Sequence, residues 1–148
     1  MEYKLIVAGG RDYYRYDIVS SYLRLIKSSC DIMDRELVIV CGMANGADSL
    51  GLRYADNYGL KVLKYPADWN KYGKKAGYIR NKEMGEVADS ALVFWDGKSR
   101  GSKLMIDIMK NLGKPVIVIS YSGDIIDRYE GNLNDSLYFP PFYKGCEP

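Results

Sequence analysis

The sequence predicts a three-layer α/β sandwich built on a mainly parallel sheet of about five strands. Short apolar, β-branched runs recur along its 148 residues and are continuous rather than alternating, as strands read when helices cover both faces of a sheet. Between them lie segments with apolar residues at helical spacing. The order β-α-β-α-β-α-β-α-β, joined by right-handed crossovers, winds into an open sheet of the doubly wound type.

In chain order, Leu5 to Ala8 reads as the first strand, and Ile18, Tyr22, Leu25 and Ile26 give the apolar face of the helix after it. Leu37 to Cys41 is the second strand; Leu50, Leu52, Tyr54 and Ala55 mark a helix that stops near Gly59. A weaker strand follows at Lys61 to Tyr65, then a helix over Arg80 to Ala88 and a strand at Ala91 to Trp95. The last helix, Leu104 to Leu112, is closed by Gly113 with Pro115 just beyond, before the final strand at Val116 to Ile119. Residues 1–120 are expected to form the domain and 121–148 an extended tail of it. That tail carries Tyr138, Phe139, Phe142 and Tyr143, aromatics that need a surface to pack on, so self-association into a dimer or larger homo-oligomer is expected.

Composition narrows the chemistry. Lys and Arg total 21 against 19 for Asp and Glu, a net charge of +2 that gives no footprint for coating a polyanion, so nucleic acid is not an expected partner. Histidine is absent, which excludes a histidine base, HExxH metalloenzymes and imidazole ligation of a metal. The three cysteines, Cys30, Cys41 and Cys146, form no CxxC pair, so neither a zinc site nor a disulfide framework is indicated, and no cofactor or metal is expected. The start of the chain lacks the pattern of a signal peptide, and no apolar run approaches the roughly 20 residues a bilayer requires. A cytoplasmic protein without a membrane partner is the expectation.

In a doubly wound sheet the ligand lies beyond the carboxyl ends of the strands. There the sequence places Gly9-Gly10-Arg11-Asp12, Gly42 to Asp48, Pro66 to Trp69, and Asp96 to Ser102. Glycine at a strand-to-helix junction lets backbone approach a ligand, and the helix behind it offers free N–H groups with a partial positive charge. The loops Gly42-Met43-Ala44-Asn45-Gly46 and Ser99-Arg100-Gly101-Ser102 are therefore candidate phosphate cradles, although neither is a GxxxxGK[ST] loop or a GxGxxG fingerprint. Either could instead be a plain turn.

Arg11, Arg80 and Arg100 are the cations suited to phosphate; Lys71, Lys74, Lys75, Lys98 and Lys103 read as solvated charges. Trp69 or Tyr72 could stack on a base, or could serve only as packing. Asp48 falls in the first turn of a helix, where an acidic residue often just complements the dipole. Asp12, Asp89, Asp96 and Asp107 have equally ordinary readings.

Taken together and in this order, Ile6 to Arg11, Gly42 to Asp48, Trp69 with Gly73 and Gly77, Arg80-Asn81 with Met84, and Ser99 to Ser102 resemble the SLOG superfamily. The similarity is to its small bacterial and phage YspA-like branch and spans about residues 3–120. It implies a Rossmann-like domain that binds nucleotides or nucleotide-derived ligands. Relatives include the LOG phosphoribohydrolases, which cleave the N-glycosidic bond of nucleoside monophosphates, and the DNA-processing DprA proteins. The ligand-binding positions it implies are Gly9, Gly10, Arg11, Gly42, Asn45, Gly46, Asp48, Trp69, Arg80, Asn81, Ser99, Arg100, Gly101 and Ser102.

One departure matters. The LOG enzymes carry PGGxGTxxE with a catalytic glutamate, and here Met105 occupies that position. Asp107 lies two residues on, on a different helix face. The expected function is thus a nucleotide sensor or sequestering protein. The alternative is a hydrolase of a nucleotide N-glycosidic bond, with Asp48 or Asp96 supplying the carboxylate.

Overall fold

A computed structural model describes residues 1–131. It contains one six-stranded sheet of order β3-β2-β1-β4-β5-β6. The strands are β1 (Glu2–Gly9), β2 (Glu36–Cys41), β3 (Lys61–Lys64), β4 (Ser90–Phe94), β5 (Val116–Ile119) and β6 (Ile125–Tyr129). β1 to β5 pair in parallel, as the continuous apolar runs predict. β6 is an addition to the expected set. It folds back antiparallel on β5 through the turn around Gly123, whose φ is 103°. Its sequence, Ile-Ile-Asp-Arg-Tyr, lacks a clean apolar run because an edge strand buries little.

The helices are α1 (Tyr16–Ile32), α2 (Ala47–Tyr58), the one-turn α3 (Trp69–Tyr72), α4 (Ala76–Val87) and α5 (Arg100–Asn111). α3 and the 3-10 turn Gly73–Lys75 behind it were not expected, having no apolar period of their own. α4 and α5 each begin four residues earlier than their apolar spacing suggests, because their first turns face the cleft rather than the core. On α1 the buried stripe is Val19, Tyr22, Leu23, Ile26 and Cys30; the predicted Ile18 and Leu25 flank it, half-buried. α2 ends as expected, on Gly59 in the left-handed conformation.

The sheet divides its apolar residues between two cores. Leu5 and Val7 of β1, Leu37 and Ile39 of β2, and Leu92 and Phe94 of β4 face α1 and α2. Ile6, Ala8, Val40, Ala91 and Val93 face α4 and α5. Alternate residues of each run thus serve opposite layers, so every one must be apolar. Gly51 lets α2 approach β1 closely, since a Cβ there would stand 2.8 Å from the Val7 side chain. Strand order reverses between β1 and β4, which is where such a sheet opens a crevice at its carboxyl edge. No helix of the described residues is long and apolar enough to cross a membrane. The aromatic tail, Cys146 and the expected contact between copies lie outside the described residues.

Candidate functional site

Two adjoining clefts lie at this carboxyl edge. The larger, about 510 Å³, is floored by Ala8, Gly9 and Gly10 at the end of β1 and walled by Asp48, Arg80, Asn81 and the first turn of α5. The smaller, about 280 Å³, lies between the loop Gly42–Asn45 and the segment Pro66, Ala67 and Trp69. Arg11, Ala44 and Arg80 line both, so the two guanidinium groups stand at the junction.

The loops are held at fixed distances by backbone contacts. The Gly10 carbonyl accepts from the Ala47 N–H at 3.1 Å and from the Tyr13 N–H at 3.3 Å, and the Gly10 N–H donates to the Phe94 carbonyl at 3.1 Å. Gly46, with φ of 76°, packs so tightly here that a Cβ would stand 2.2 Å from the Gly10 oxygen. Gly46 therefore spaces two loops and lines neither cleft, which departs from its implied ligand role.

Gly42 lies between the two charged groups of the site. A Cβ there would meet both Arg80 Nη1 and Asp48 Oδ2 at 2.8 Å. Arg80 donates through Nη1 to the Gly42 carbonyl and through Nε to Asn81 Oδ1 at 2.8 Å, which fixes the guanidinium at the cleft wall. Asp48 Oδ2 accepts from the Ala44 N–H at 3.3 Å. Asp48 is only 5% exposed. That burial pushes its carboxyl up to about 6, against the pull of the Ala44 N–H and of Arg80 and Arg11. Its burial inside the cleft goes beyond what a helix-dipole partner at the surface requires.

The first turn of α5 is capped by Ser99, whose Oγ accepts from the Ser102 N–H at 3.5 Å and from Ser102 Oγ at 3.3 Å. Ser99, Gly101 and Ser102 line the larger cleft. Arg100 does not. It is exposed and lines neither cleft, because the α5 helix carries it away from the side that Ser99 and Ser102 present. Asp96 also lies outside both clefts: its Oδ1 accepts from the Lys98 and Ser99 N–H groups, each at 2.8 Å, and this holds its carboxyl below the ordinary range. It shapes the turn into α5.

Gly9, Gly10, Arg11, Asp48, Arg80, Asn81, Ser99, Gly101 and Ser102 thus come together in the larger cleft, and Gly42, Asn45 and Trp69 in the smaller. Trp69 is 53% exposed, with its ring edge 3.6 Å from the position a Cβ on Gly77 would take. Tyr72 lines neither cleft. Met105 is buried in the wall of the larger cleft, whereas Asp107 sits outside it, paired at 3.0 Å with Lys103. The sequence reading passed over Tyr14 and Met43 as lining residues. Met43 adopts a φ of 62°, and nothing in its residue type signals that conformation.

A family model described as the YspA, cpYpsA-related SLOG family matches residues 3–72, which includes the Gly9–Arg11 and Gly42–Asp48 loops. The Gene 61 protein of Mycobacterium phage D29 is 38% identical over 87 residues, 55% of this chain and 70% of that one. Among solved structures, DNA processing protein A (DprA) from Streptococcus pneumoniae superposes with a TM-score of 0.62 at 18% identity, over 86% of this chain. The chain spans about half of that protein, 52% of its length, and the likeness is one of fold. With its loops and fold both accounted for, the chain belongs to the SLOG superfamily, in its YspA-related family.

Proposed function

We propose that this protein binds a nucleotide or nucleotide-derived ligand, as a sensor or sequestering protein, with phosphate held in the larger cleft and the base against Trp69. The observation that carries this reading is convergence. A glycine-bearing helix start (Ser99, Gly101, Ser102), the glycine-rich end of β1, and Arg11 and Arg80 all line one cleft. Backbone N–H groups at a helix start together with guanidinium groups match phosphate in charge and in hydrogen-bond type.

Gly101→Ala is the direct test. A Cβ at Gly101 has nothing within 4 Å, so folding should be unharmed and the helix slightly favoured. Phosphate approaching the backbone would meet the new methyl group. Calorimetry with AMP and ADP should show binding weakened at least 10-fold, with an unchanged or higher melting temperature. Unaltered affinity would remove the α5 cradle from the reading.

A second reading, hydrolysis of a nucleotide N-glycosidic bond, draws support from Asp48 alone. Its carboxyl lines the larger cleft and is raised to about 6, as a group that donates a proton near neutral pH requires. Met105 gives the site no charge at the position of the LOG glutamate. Release of ribose 5-phosphate from a nucleoside monophosphate, abolished by Asp48→Asn, would favour this reading over binding alone.

A further inference from the structure

We infer that the ligand carries groups on both sides of its phosphates: a base in the smaller cleft, a diphosphate at the Arg11 and Arg80 junction, and a second, hydroxyl-bearing sugar in the larger cleft. This deepens the binding reading above and rests on it. The smaller cleft has the exposed indole of Trp69 and the apolar edges of Pro66 and Ala67, a surface for a flat ring. Both cations that line the clefts, Arg11 and Arg80, stand where the clefts meet, so the anionic part of a ligand belongs there. With base and phosphates so placed, the larger cleft still extends past the junction.

Its volume of about 510 Å³ far exceeds what two five-atom phosphate groups fill, at roughly 30 Å³ for each water-sized unit. Its far walls combine hydrogen-bonding groups, Asp48, Asn81 and Ser102, with the apolar faces of Met84 and Met105. A carboxylate, an amide and a hydroxyl accept and donate to sugar hydroxyls, and the methionine side chains pack against the ring carbons. A nucleoside monophosphate has nothing to place there. A nucleoside diphosphate joined to a second sugar does.

The experiment compares AMP, ADP and ADP-ribose by calorimetry on the wild type, Asp48→Asn and Trp69→Ala, each variant checked for folding by its melting temperature. ADP carries more negative charge than ADP-ribose, so electrostatics alone would favour ADP. The inference expects ADP-ribose to bind at least 10-fold tighter than ADP. Asp48→Asn should abolish that advantage while leaving ADP affinity unchanged, and Trp69→Ala should weaken both ligands by the same factor. Equal wild-type affinities for ADP and ADP-ribose would overturn the second-sugar subsite and leave nucleotide binding standing. An advantage that survives Asp48→Asn, or Trp69→Ala without effect on either ligand, would overturn the placement. Absence of binding by all three at millimolar concentration would overturn both the subsite and the binding reading.

Discussion

The hydroxyl of Tyr121 occupies the space a side chain on Gly10 would need: a Cβ there would lie 1.6 Å from it. The same hydroxyl donates to Asp12 Oδ1 at 2.5 Å, and its ring packs on Tyr13 with centroids 4.6 Å apart. The segment after β5 therefore braces the loop that floors the larger cleft.

Gly10→Ala should displace Tyr121 and cost about 2–3 kcal/mol, combining overpacking with the loss of a hydrogen bond to a charged group. Tyr121→Phe should cost about 1 kcal/mol, since that bond is partly exposed. The two changes act on one contact, so denaturant unfolding of the double variant should show less than the sum of the single losses. Strict additivity would mean that Tyr121 does not occupy the Gly10 space in solution.

Gly46 and Gly97 both have positive φ, 76° and 83°, but different surroundings. Gly97→Ala meets nothing within 4 Å and should lose only the left-handed strain of about 1–2 kcal/mol. Gly46→Ala must also push Gly10 and Arg11 backbone aside, so its loss should be at least twice as large, visible as a drop in melting temperature or in soluble yield. Equal losses would separate the two loops.

Asp48 gives stability a pH dependence of defined sign. In the folded chain its carboxyl holds a proton up to about pH 6, whereas an unfolded aspartate loses it near 4. Between those values the folded state binds more protons, so stability falls as pH rises through the window and levels off above it. At 1.36 kcal/mol per unit the loss is on the order of 3 kcal/mol. Asp48→Asn, which still accepts from the Ala44 N–H, should flatten stability between pH 4 and 6 in urea titrations. A slope identical to wild type would assign the effect to another group.

Asp96→Ala removes the acceptor of two N–H groups ahead of α5 and should cost about 0.5–1 kcal/mol, the low end for hydrogen bonds because the carboxylate is exposed. Any nucleotide hydrolysis should continue at the wild-type kcat. A loss of 100-fold or more in kcat would restore Asp96 as a reacting group.

The sheet was legible because its strands are buried on both faces, and burial on both faces leaves no choice of residue type: Leu37 to Cys41 and Val116 to Ile119 could be little else. β6 was not, since Asp127 and Arg128 read as loop when only one side of a strand is covered. In the site, glycine and arginine were read correctly as markers of the rim, and most of those named do line it. Sequence alone could not separate Gly101, which borders open space, from Gly46, which wedges two loops, because both are small residues next to a helix start. Nor could it rank Arg80 above Arg100. That difference follows from rotation around a helix whose start was read four residues late.

The Gly10 carbonyl, accepting from both Tyr13 and Ala47, joins residues 34 positions apart in the chain. Neither loop can open without breaking a bond that also restrains the other, so their fluctuations are locked in phase. A ligand entering here meets a floor already set before it arrives, and little ordering entropy is left to lose on docking. Selectivity at such a floor comes from refusing the wrong shape rather than from folding around the right one.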